Sequence, residues 1–286
     1  MDWIRPSEVS QAFIAGGVTK AHLPASQLLV RGFLSGALLG FATTVAFTAT
    51  AQGLPPIVGA VLFPAGFAMI VVLGLELVTG SFAMLPAALI AGSIGTRRVL
   101  NNLTLVFFAN LIGSLVYAVM YAAVQTQFHH VPAAGPAALI VAAAQAKTLA
   151  YRKLGSAGMG LSIVKAMLCN WMVCMGVVMG LTSRSTLGKI AACWLPIFMF
   201  FALGYEHSVV NMFVIPSGIM MGAPVSIGQW WLWNQLPVTA GNLIGAILFV
   251  TLPMLWIRKD SAQPKEVVLI DAAVMAAEAQ TGTANG

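Results

Sequence analysis

Acidic residues all but vanish from the interior of this chain. Of 286 residues, only Glu76 and Glu206 are acidic between Glu8 and Asp260, and the four charged types together make up 8%. A soluble globular domain carries about 25% charge, so that class is excluded. Cysteine is scarce as well. Cys169, Cys174 and Cys193 each lie in an apolar run, where a thiol serves as a small buried hydrophobe rather than as a metal ligand or half of a disulfide. No basic patch interleaved with aromatics is present, so the net charge of +6 does not point to nucleic acid. Asp2, Arg5, Glu8, Lys20 and His22 interrupt the start of the chain, which predicts no cleaved signal peptide.

What is present is apolar. Hydrophobic residues reach 59% and the mean hydropathy is +0.90, the signature of an all-α membrane protein. A helix crosses a bilayer with about 20 apolar residues. Six such spans are predicted, at 28–51, 57–92, 101–125, 157–181, 188–221 and 235–257. The second and fifth are too long for single helices and hold Gly, Pro and polar residues mid-way. Each is expected to be two half-helices around a break, which must be packed in protein or line a cavity.

The breaks resemble each other. Leu73-Gly74-Leu75-Glu76 is followed ten residues after its glutamate by Pro86, and Leu203-Gly204-Tyr205-Glu206 likewise by Pro216, 130 positions on. Ala109-Asn110-Leu111-Ile112-Gly113 echoes Gly241-Asn242-Leu243-Ile244-Gly245, and Arg31 echoes Lys165 more weakly. Three spans per copy is odd, so the second copy runs opposite to the first, an inverted repeat. The Lys/Arg bias puts both termini in the cytoplasm, with Lys147, Arg152 and Lys153 in external loops. The chain divides into an N-terminal segment 1–27, a channel domain 28–258 and a tail 259–286 expected to be disordered or loosely helical. Residues 6–24 read either as an amphipathic helix on the inner surface, opened by Pro6-Ser7-Glu8, or as a solvated leader. Residues 133–155 fit a short re-entrant or surface helix carrying Lys147.

A carboxylate at membrane depth costs about 2.5–3.5 kcal/mol even on the lenient insertion scale. Glu76 and Glu206 are therefore expected to do something there, and accepting hydrogen bonds from the backbone N–H groups freed at a break is the first expectation. His207 is an intramembrane imidazole that small environmental changes can switch; alternatively it stitches the broken backbone. Thr79, Gly80 and Ser81 bring hydroxyls and flexibility to the first break. Asn110, Asn170, Asn211 and Asn242 are amides whose ordinary role is helix-to-helix hydrogen bonding. Lys147 stands alone in apolar sequence outside the spans, a setting that is usually solvated surface.

Four segments resemble the formate/nitrite transporter family of pentameric anion channels: Gly74-Leu75-Glu76-Leu77-Val78-Thr79-Gly80, Ala146-Lys147, Cys169-Asn170-Trp171-Met172-Val173-Cys174, and Gly204-Tyr205-Glu206-His207-Ser208-Val209-Val210-Asn211-Met212-Phe213 with Ile215-Pro216. The likeness covers roughly residues 5–258. It implies an aquaporin-like protomer with its own pore, a homopentamer in the cell membrane, and no cofactor or catalytic residue. It implies that His207 lies between two hydrophobic constrictions, that Thr79 contacts it from the other broken helix, and that Lys147 lends a positive field to the outer vestibule. Val78, Asn170 and Asn211 fall beside these as pore or selectivity residues. The family often has an aromatic where Val78 stands and small residues where Leu75 stands, which implies a wider or differently shaped inner constriction. The implied function is passage of nitrite or formate, passive or proton-linked, the anion crossing in protonated form; hydrosulfide or bicarbonate are alternatives.

Other functions leave marks that are missing. A water or glycerol channel would show paired Asn-Pro-Ala boxes, an ammonia channel a deep histidine pair, and a haem or metal subunit several His/Cys at ligand spacing. His22, His129 and His130 all lie outside the spans.

Overall fold

A computed structural model describes residues 3–261, so the predicted tail falls almost wholly outside the described residues. The order is α1 Pro6–Ala21, α2 Ala25–Ala51, α3 Pro56–Leu62, α4 Pro64–Val72, α5 Val78–Ile90, α6 Thr96–Gln125, α7 Pro136–Ala146, α8 Leu149–Lys153, α9 Ser156–Gly180, α10 Thr186–Ala202, α11 Ser208–Met220, α12 Ile227–Trp230, α13 Leu236–Ala246 and α14 Leu252–Ser261. The last three form one rod, joined by π-helical turns at Trp231–Gln235 and Ile247–Thr251. With α2, α6 and α9, that rod is long and apolar enough to cross a membrane. The remaining apolar helices are shorter: α3 with α4, α5, α10 and α11. The chain is a multi-pass membrane protein.

Two faces can be told apart. At one, Ile4 donates its N–H to the Thr182 carbonyl and Arg98 reaches the Ala21 carbonyl. It holds α1, the loops 91–95 and 181–185, and the end of α14, and is called the terminal face below. The opposite face holds the ends of α2 and α6, with α7, α8 and the loop 221–226.

The long helices pack in like pairs, α2 along α6 and α9 along α13. The echoed Asn-Leu-Ile-Gly motifs explain why. A Cβ on Gly113 would run into the Phe33 carbonyl oxygen of α2, and one on Gly245 into the Met167 carbonyl oxygen of α9. Close backbone approach through small residues is how helices associate where lipid is as apolar as leucine.

Both breaks have the same backbone. Gly74 and Gly204 adopt φ +62 and +64, the left-handed region that costs a side-chain-bearing residue about 1–2 kcal/mol. After each, Leu75 donates to the Ile70 carbonyl and Tyr205 to the Phe200 carbonyl, closing the preceding helix in the manner of a Schellman turn. The chain then runs extended through Leu77 (φ −119, ψ 121) and His207 (φ −113, ψ 119) before the next helix begins.

The structure departs from expectation at several points. The second predicted span is in three pieces, because Pro64 brings no N–H and divides α3 from α4. The sixth begins at Ile227 rather than 235, set by a capping box between Ser226 and Gln229. α1 is not a solvated leader: Val9, Phe13 and Ile14 are buried, and Gly16 and Gly17 lie against Met84 of α5. The predicted surface helix is two, α7 and α8, with Ala137, Ile140 and Ala144 buried.

Candidate functional site

Each break exposes main-chain groups that lipid cannot satisfy, and one asparagine serves each. Asn110 on α6 accepts from Val78 N–H at 2.9 Å and donates to the carbonyls of Gly32 at 2.8 Å and Glu76 at 3.0 Å. Asn242 on α13 accepts from Ser208 N–H at 2.9 Å and donates to the carbonyls of Ala166 at 2.8 Å and Glu206 at 2.9 Å. Gly32 and Ala166 directly follow Arg31 and Lys165, so the weak sequence echo there marks equivalent places. The glutamates were expected to catch the freed N–H groups. The amides do so instead, because an amide, unlike an ionised carboxylate, can give to a carbonyl and accept from an N–H at once.

The carboxylates turn to lysines. Lys20 Nζ lies 2.9 Å from Glu76 Oε1, and Lys147 Nζ 2.9 Å from Glu206 Oε2. Lys147, expected to lend a positive field to the outer vestibule or else to be solvated surface, caps α7 and is largely buried in this pair. Tyr151 donates to Glu206 Oε1 at 2.8 Å and Asn211 to Oε2 at 2.7 Å. Burial, reinforced by the Glu206 charge, raises the Tyr151 phenol pKa well above its ordinary value. The lysine carbonyls are held alike, Lys20 by Asn102 at 2.8 Å and Lys147 by Asn234 at 2.9 Å. A π-helical turn carries one extra residue per turn, and the one at Trp231–Gln235 buries both Asn234 and Gln235.

Sequence reasoning passed over Lys20, Tyr151, Asn102 and Asn234. A signal for Lys20 did exist: the two lysines precede their glutamates by 56 and 59 residues.

Between the ion pairs lies the central contact. Thr79 Oγ1 is 3.1 Å from His207 Nε2, which brings the first turns of α5 and α11, and so the positive ends of two helix dipoles, to one place. His207 Nδ1 accepts from Val210 N–H at 3.2 Å. That bond assigns the ring hydrogen to Nε2, which donates to Thr79. In this arrangement the imidazole is neutral. His207 thus caps α11 and also faces the other half. Asn170 donates to the Thr79 carbonyl at 3.1 Å and the Asn242 carbonyl at 2.8 Å, tying the central threonine to the second break.

The surroundings are apolar. Phe200 stacks on His207 with ring centres 5.6 Å apart. On the terminal face a cavity of 340 Å³ is walled by Lys20, Arg31, Glu76, Phe67, Leu77 and Val177. Val78 does not line it; its side chain is buried, and Leu77 and Gly80 form the wall there. Among the described residues no group of three or more His, Cys, Asp or Glu could hold a metal ion.

Comparisons agree with this architecture. The family model described as Formate/nitrite transporter matches residues 7–256. An uncharacterized transporter YrhG from Bacillus subtilis (strain 168) is 33% identical over 259 residues, covering 88% of this chain and 92% of that protein. A probable formate transporter from Methanothermobacter thermautotrophicus is 31% identical over 266 residues, covering 86% and 93%. Among solved structures, an FNT family ion channel superposes with a TM-score of 0.76 at 26% identity, covering 90% of this chain and 99% of the other. A pentameric formate channel with formate bound shares the fold, with a TM-score of 0.64 at 24% identity over 82% and 97%.

Proposed function

The chain belongs to the formate/nitrite transporter family, and from that premise we propose that it is a channel for small monovalent anions, formate or nitrite. The observation that carries the reading is the Thr79–His207 contact at the junction of two half-helix N-termini. Donors and dipoles there favour a negative group, yet no charged side chain makes the contact, so a full charge gains little by stopping. Two inverted three-helix halves in an aquaporin-like arrangement, assembled as a homopentamer in the cell membrane with both termini cytoplasmic, complete the proposal.

The steps follow from the side chains. Lys20 and Arg31 draw an anion into the terminal-face cavity, and Lys147 does the same at the other face. As water is stripped, the neutral acid gains on the anion, because desolvation disfavours the charged form. Phe67, Leu77 and Val177 on one side and Phe200 on the other act as apolar constrictions. His207 donates through Nε2 to Thr79, which leaves the threonine hydroxyl proton free to meet a permeating oxygen.

Proteoliposomes holding the purified protein test this. Flux of formate and nitrite should far exceed that of glycerol and rise as the protonated fraction of the anion rises. Glycerol passage equal to the anions would replace the reading with a neutral-solute pore.

A further inference from the structure

The two lysine–carboxylate pairs share one scaffold but are not held alike. Glu206 accepts from four donors, Lys147, Tyr151, Asn211 and Asn234. Among the described residues Glu76 accepts from Lys20 alone, and its Oε2 is buried without a partner. The 130-residue offset that carries Glu76 onto Glu206 carries Ser81 onto Asn211, and the Ser81 hydroxyl is also buried without a partner. Asn102 gives its amide to the Lys20 carbonyl, and its Oδ1 has no partner. Four residues after Lys147 stands Tyr151; four after Lys20 stands Pro24, which has nothing to donate.

This asymmetry governs what each carboxylate can do with a proton. Both Glu206 oxygens already accept, so protonation there competes with donors that hold the ionised form. Glu76 has an oxygen that no donor occupies. Neutralising Glu76 alone would leave a partly buried ammonium uncompensated, a costly state, unless an anion arrives with the proton. Lys20 opens on the cavity and Arg31 lines the same wall. The other elements that share the cavity wall with Glu76 present Met84 from α5 and Val177 and Leu181 from α9, none of them titratable. Arg98 is turned to the Ala21 carbonyl and His22 to the Val18 carbonyl.

We propose that Lys20 and Glu76 form the proton-loading site of the channel, an inference that rests on the anion-channel reading above. Hydronium gives its proton to Glu76 Oε2 and leaves as water; an O–H bond forms there, and no bond in the anion changes. The anion takes the place of the carboxylate beside the Lys20 ammonium. One ammonium and one carboxylate become one ammonium, one neutral acid and one bound anion, so the site is neutral before and after. Glu206 stays ionised as a fixed structural group.

Difference infrared spectra of the protein in bilayers test the site. Acidification with isotopically labelled formate, whose own carbonyl stretch is moved aside, should raise the carbonyl band of a protonated carboxylic acid. The band should vanish in Glu76→Gln, shift in Glu76→Asp and survive in Glu206→Gln. No band in the wild type, or a band that persists in Glu76→Gln, would overturn the proposal. Formate flux on the same vesicles separates the two claims. No flux removes the channel reading, whereas flux without the Glu76 band overturns the loading site alone.

Discussion

His207 holds two bonds at once, one along its own chain to Val210 and one across the molecule to Thr79. Replacing it by Phe keeps ring volume and stacking on Phe200 but removes both bonds. Anion flux should fall at least about tenfold, equivalent to roughly 1.4 kcal/mol of barrier, or change its preference among anions, while the oligomer stays intact by size-exclusion chromatography. Thr79→Val should alter the formate-to-nitrite ratio more than assembly; a variant lost only through misfolding would return Thr79 to a structural role. The place of these two residues at the breaks was legible because an imidazole and a Thr-Gly-Ser run are out of place in apolar sequence. The fate of Lys147 was not. A lysine beside a loop looks solvated until the fold brings a glutamate 59 residues away to within 2.9 Å, and linear sequence carries no hint of that distance.

At the scale of the helix break, glycine and asparagine contribute unequally. Gly204→Ala meets open space and suffers only its left-handed φ, about 1–2 kcal/mol. Asn242→Ala orphans the Ser208 N–H and deprives the carbonyls of Glu206 and Ala166, at about 1–3 kcal/mol for each buried group left unmade. Thermal unfolding in detergent should therefore rank Asn242→Ala well below Gly204→Ala, and Asn110→Ala should match Asn242→Ala. Equal losses for the glycine and asparagine variants would mean that the backbone turn, not the amide, holds the break. The breaks themselves were readable from overlong apolar spans with Gly and Pro inside. The seam at Pro64 and the early start at Ile227 were not, since a proline within an apolar run and a four-residue capping box are local signals that a 20-residue window averages away.

For the whole molecule, charge is placed at the ends and kept from the middle. Lys147→Glu sets a second carboxylate against Glu206 and reverses the field at the opposite face; anion uptake from that side should drop, most at low ionic strength where screening is weakest. An unchanged rate would show that Lys147 has no part in drawing anions in. Native mass spectrometry should return five protomers for the wild type.

One consequence concerns how the chain is made. The half-helices α5 and α11 have 13 residues each, too few to span a bilayer alone. Each needs an amide that the ribosome delivers later: Asn110 comes 32 residues after Val78, and Asn242 comes 34 after Ser208. Neither break can settle when it first leaves the translocon. The latch for the first break is thus translated before the second half has begun, and the latch for the second comes only near the end of the chain.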